Sequence, residues 1–97
     1  MARALRFTKE QLNELIVLAR ARPTLWADLK HREDELEAHY QATRSADPPE
    51  HQTQPSMAML VHSLIDEVYG PAWRWDTGSI IIAIRRELRR ELGYPNY

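Results

Sequence analysis

Signals that start and stop helices divide this chain into four stretches, and each stretch carries apolar residues at helical spacing. Thr8 and Gln11 form a Thr-x-x-Gln capping box, and Phe7 and Leu12 occupy the two positions of a hydrophobic staple. Leu12, Leu15, Ile16 and Ala19 then make one stripe, until Pro23 pushes the residue before it out of the helical region. The first helix is expected over 9–21. Pro23 suits the first turn of a second helix, whose one side would hold Leu25, Trp26, Leu29, Leu36 and Tyr40. That stripe is interrupted at Arg32 and Glu33. Nearly every position from Lys30 to His39 is charged or titratable, so the middle of this helix is expected in solvent, with Lys30 and Asp34 as an i,i+4 pair.

Residues 45–54 are polar and include Pro48 and Pro49, which forbid a helix and imply a long loop. A third helix is expected over 55–69, with Met57, Leu60, Val61, Leu64 and Val68 on its main face and Met59, Ile65 and Tyr69 on a second. Gly70 and Pro71 stop it. For residues 73–82 two readings stand. Aromatic and β-branched residues flank Asp76-Thr77-Gly78, as in a β-hairpin. Alternatively, Asp76 caps a fourth helix that runs to Leu92 and leaves through Gly93 and Pro95. The helix is favoured, because Ile80, Ile81, Ile84, Leu88 and Leu92 share an arc of roughly 120° at its spacing. The expected fold is therefore all-α: one domain over 1–97, a small four-helix bundle with a long loop between helices two and three. Residues 1–6 are expected to be flexible, and the tail 94–97 either packs back on the bundle or is a flexible handle.

A 97-residue chain buries only roughly 60 to 68% of its unfolded surface, so modest stability is expected, and a homodimer would relieve the shortage. No apolar run approaches the roughly 20 residues that cross a bilayer, and 1–7 lacks the apolar stretch of a secretory signal, so cytoplasmic localisation and no membrane partner are expected. The absence of cysteine removes disulfides, thiolate chemistry and cysteine-ligated zinc. Eleven Arg against two Lys point to GC-rich coding, as in a bacterium or its phage. No phosphate-cradling glycine loop and no Gly-x-Ser-x-Gly occurs, and no enzymatic role or cofactor is expected.

Charge is segregated. Residues 1–23 carry five basic and two acidic side chains, 24–67 carry three and nine, and 68–97 carry five and three. Such blocks steer partners even when the net charge is -1. In the fourth helix Arg85, Arg86, Arg89 and Arg90 span an arc of roughly 140° with Ile82 inside it. This face can meet phosphates, an acidic protein surface or solvent alone; its apolar Ile82 favours protein among the functional readings. Trp73 and Trp75 flank Arg74, and in an extended connector their rings would share one side as an anchoring surface. These eight residues form the expected partner-binding face of a small protein-binding regulator or inhibitor. The acidic run Asp28, Glu33, Asp34, Glu35 and Glu37 forms a second surface, for a basic partner or another copy of the chain.

A helix-turn-helix or winged-helix DNA-binding regulator is the alternative function, since helix three, a connector and helix four follow in the right order. Its connector, Gly70–Asp76, exceeds the usual length of about three to four residues, and its recognition turn would present Ile80, Ile81 and Ile82. His31, Glu35 and His39 share a helix face, but the two histidines are about 12 Å apart along the axis, too far for one ion, so no metal is expected. His62 and Asp66 are expected to share a structural hydrogen bond.

Overall fold

The computed structural model describes residues 4–43 and 55–95. Four helices, α1 (Lys9–Arg20), α2 (Pro23–Thr43), α3 (Pro55–Tyr69) and α4 (Thr77–Leu92), enclose one apolar core, and a 3-10 turn over Ala72–Arg74 joins the last two. The expected loop 45–54 lies outside the described residues.

The local signals act as their chemistry requires. The Gln11 backbone N–H donates to Thr8 Oγ1 at 3.1 Å, and the Thr8 N–H donates to Gln11 Oε1 at 2.8 Å, completing the capping box. Ala21 closes α1, and Pro23 opens α2 two residues later. At the end of α3, Gly70 takes φ +84°, open to glycine and strained for other residues, and Pro71 blocks extension. Gly93 ends α4 at φ +80°; its N–H reaches the Arg90 carbonyl, and that of Tyr94 reaches Arg89 at 2.8 Å, the paired bonds of a Schellman motif. Asp76 occupies the N-cap of α4, as expected, but its side chain makes no capping bond. Its backbone N–H is committed elsewhere, to the Leu5 carbonyl. The hairpin alternative for 73–82 is replaced by the 3-10 turn and the start of α4.

The core comprises Leu15 and Ala19 of α1, Trp26, Leu29 and Leu36 of α2, Met57, Val61, Leu64 and Ile65 of α3, and Ile80, Ile81, Ile84 and Leu88 of α4. α4 packs against all three other helices. Each fully buried leucine or isoleucine stabilises the fold by about 1.5–3 kcal/mol relative to exposure.

One end of the bundle is closed by an aromatic cluster. Phe7 stacks on Trp75 with centroids 4.5 Å apart and planes at 8°, and Tyr69 lies tilted against both at 5.8 and 5.5 Å. The segment leading into α1 is anchored there. Leu5 donates its N–H to the Arg74 carbonyl and accepts from the Asp76 N–H, both at 2.7 Å, in an isolated parallel bridge to Trp75. Leu5 thus carries two backbone hydrogen bonds within the stretch 1–6, where flexibility was expected. At the other terminus the Pro95 carbonyl accepts from Arg89 of α4 and the Tyr94 hydroxyl donates to Asp34 of α2. Residues 1–3, 96 and 97 lie outside the described residues.

Candidate functional site

The eight residues expected to share a basic-aromatic face are dispersed in the fold. Arg85 and Arg89 are 1% exposed and point into the seam between α4 and α2, where Glu33 is fully buried and Glu37 nearly so. Arg85 grips Glu33 with both arms of its guanidinium, Nε to Oε1 at 2.7 Å and Nη2 to Oε2 at 3.1 Å. Arg89 donates from Nη1 to the same Glu33 carboxylate at 3.1 Å, from Nη2 to Glu37 at 3.2 Å and from Nε to the Pro95 carbonyl at 3.0 Å. The Tyr94 ring covers the Arg89 guanidinium at 5.2 Å, and its hydroxyl donates to Asp34. That bond first, and burial second, hold the Tyr94 phenol above its ordinary pKa.

Two carboxylates and two guanidiniums therefore neutralise each other away from water. Burying one such charge alone costs several kcal/mol, which only close pairing offsets. Glu33 and Glu37 are one helical turn apart on α2, as Arg85 and Arg89 are on α4, so one helix register satisfies all four. The solvated middle of α2 is corrected accordingly, and Glu33 and Glu37 leave the acidic surface. Of its other members, Asp28 and Asp34 are exposed, Asp34 being held by Tyr94, and Glu35 sits 2.6 Å from His31. Lys30 pairs with Glu91 at 3.5 Å instead of with Asp34.

A second set of pairs girdles the outside. Arg20 bridges Glu87 at 3.0 Å and Glu91 at 3.2 Å, and the Trp26 indole donates to Glu91 at 2.7 Å. Burial works against ionisation of Glu91, but the Trp26 bond together with Arg20 and Lys30 outweighs it and leaves the carboxyl below its ordinary value. Arg22 clasps Glu67 at 2.6 and 2.5 Å, a bond that lowers the Glu67 pKa and raises that of Arg22. Exposed pairs of this kind add little to stability, because water and salt screen them.

The tryptophans of the expected face diverge. Trp75 is half-buried in the aromatic cluster, whereas Trp73 is 79% exposed, the most exposed of the large apolar side chains described. A braced turn carries it. The Ala72 N–H donates to Asp66 at 2.6 Å, the Arg74 N–H to the Pro71 carbonyl at 3.1 Å, and the Trp75 N–H to the Ala72 carbonyl at 3.0 Å, with the Leu5 bridge beside them. The Arg74 guanidinium lies 5.3 Å from the Trp73 ring centre. Leu5, 52% exposed, adds apolar surface at the same end. Exposed Arg86 and Arg90 and half-buried Ile82 remain on the outer side of α4, where Arg90 approaches Glu87 at 3.5 Å.

Ile80 and Ile81 are buried and Ile82 half-buried, so the start of α4 does not present the three expected isoleucines. His62 and Asp66 bond apart, His62 with Thr77 Oγ1 at 3.2 Å and Asp66 with the turn. Among the described residues no three His, Asp or Glu side chains gather closely enough to hold a metal ion, and no helix is long and apolar enough to cross a membrane.

The place of Leu5 beside the Ala72–Arg74 turn was not legible. The only sequence signal at that end is the basic excess of residues 1–23, and nothing local pairs residue 5 with residue 75. Compared with protein-family models, curated proteins and solved structures, the chain has no match.

Proposed function

We propose that this protein works by contact with another protein, as a small regulator or inhibitor without catalytic chemistry, and that Trp73 is its anchor. The observation carrying this reading is the exposure of Trp73 on a turn braced by Asp66 and Leu5. An indole left in water forgoes the gain of burying some 150–250 Å² of largely apolar surface, and tryptophan is enriched among the residues that dominate interface energetics. A rigid turn also reduces the ordering cost on binding. The contact face is smaller than the sequence implied: Trp73, Arg74 and Leu5 at one end.

The test is a tagged pull-down from a high-GC bacterial lysate, run with and without nuclease, for the wild type and Trp73→Ala. The expected result is a stoichiometric protein that survives nuclease and is lost with Trp73→Ala while the variant's melting curve is unchanged. Retention by both forms contradicts the anchor. Material that disappears with nuclease transfers the function to the DNA-binding alternative.

A further inference from the structure

Eight of the eleven described arginines and lysines are accounted for. Arg20, Arg22, Lys30, Arg32, Arg85, Arg89 and Arg90 each have a carboxylate within 4.0 Å, and Arg86 is also engaged. Among the described residues, Arg6, Lys9 and Arg74 have none. The fold sets all three at one end of the bundle. Arg6 adjoins Leu5, whose backbone is bonded to Arg74 and Asp76, and Lys9 opens α1 two residues after Phe7, whose ring stacks on Trp75. Trp73 and Leu5 stand exposed at the same end. The acids there are otherwise placed: Asp66 accepts from the Ala72 N–H and Glu14 faces the Tyr69 hydroxyl, while Glu10 and Asp76 sit at the starts of α1 and α4, where helix dipoles favour a negative charge.

We propose, building on the protein-contact reading, that this end takes a partner segment in which an apolar side chain stands next to carboxylates. The apolar group covers the ring of Trp73, and the carboxylates take the unused guanidinium and ammonium donors of Arg74, Arg6 and Lys9. Arg74 already lies against Trp73, so one ligand engages both without rearrangement. Guanidinium meets carboxylate in a two-pronged geometry, which makes acidic side chains the complementary chemistry. A single-stranded nucleic acid would use the same stacking and the same cations with phosphate. Leu5 favours the peptide, because it extends the patch with an aliphatic surface that no phosphate or base satisfies.

The test uses a fluorescein-labelled dodecapeptide alternating Glu with Leu, its Gln-for-Glu counterpart and a twelve-nucleotide oligo-dT, titrated against the full chain and followed by anisotropy and by amide NMR. The Glu peptide is expected to bind at least tenfold more tightly than the Gln peptide or the oligonucleotide, shifting Arg6, Lys9, Arg74 and the Trp73 indole. Arg74→Glu, checked for an unchanged melting curve, is expected to weaken it at least tenfold, while Arg90→Glu changes it less than twofold. Absence of Glu-peptide binding at millimolar concentration overturns the proposal, as does a stronger effect of Arg90→Glu. Tighter oligonucleotide binding overturns the peptide class. Equal binding of the two peptides, lost with Trp73→Ala, overturns the acidic specificity and leaves the protein-contact reading standing.

Discussion

Arg89 and Arg74 each lay a guanidinium against an aromatic ring, 5.2 Å from Tyr94 and 5.3 Å from Trp73, and in every other respect their surroundings are opposite. Arg89 is 1% exposed and donates to Glu33, Glu37 and Pro95. Arg74 is exposed and has no carboxylate within 4 Å among the described residues. The same pairing of residue types therefore serves two ends. In the α2–α4 seam the guanidiniums are engaged inside the protein, across the join between two helices. At the end built by Leu5 and the Ala72–Arg74 turn, donors and an indole are left over.

The contrast breaks most sharply at Glu33. Glu33→Ala removes the buried carboxylate that Arg85 and Arg89 share, and should cost about 3–5 kcal/mol in urea unfolding. The comparison sharpens if Glu33→Met, Glu37→Gln, Arg85→Leu and Arg89→Met are combined. A seam that serves stability alone tolerates this apolar replacement, and buried ion clusters so replaced are often neutral or gain about 1–4 kcal/mol. Loss of a single defined fold, read from NMR dispersion, would instead show that the charges select the helix register.

A smaller effect is expected at Glu91, between Trp26, Arg20 and Lys30. Its carboxyl is held below its ordinary 4.5, so its contribution is present above that value and is lost as pH falls through the lowered folded value. Unfolding measured from pH 6 to pH 3 should weaken in acid, and Glu91→Gln should flatten that fall. Trp73→Ala should have the smallest effect on stability, within about 0.5 kcal/mol, because its ring supports nothing in the core. A loss above 2 kcal/mol would move Trp73 into the fold and out of the contact surface.

What was legible from the sequence was local. Thr8 with Gln11, Pro23, Gly70 with Pro71, and Gly93 fixed helix ends within a residue or so, because each acts through hydrogen bonds or φ restrictions on its immediate neighbours. The core stripe of α4 was legible for the same reason, since Ile80, Ile84 and Leu88 lie one turn apart and all are fully buried. Arg85 and Arg89 misled because a helical projection assigns charge to solvent. Nothing in either helix alone says that two charged residues one turn apart will meet two of opposite sign across a seam. The spacing of Glu33 and Glu37 against Arg85 and Arg89 was the available signal, readable only once α2 and α4 are known to pack together. Leu5 was illegible because a single bridge between residues 5 and 75 leaves no periodic trace. Trp73 and Trp75 separated because the 3-10 turn breaks the alternation of an extended strand.

Hydrogen exchange at the arginine Nε–H groups, read by 15N-resolved NMR at one pH, compares the two regions most directly. Arg85 and Arg89 should exchange far more slowly than Arg74, since their Nε–H groups are bonded to Glu33 and to the Pro95 carbonyl out of contact with water. Exchange of Arg85 and Arg89 as fast as that of Arg74 would place all three in solvent. The division between a structural seam and a contact surface would then be wrong.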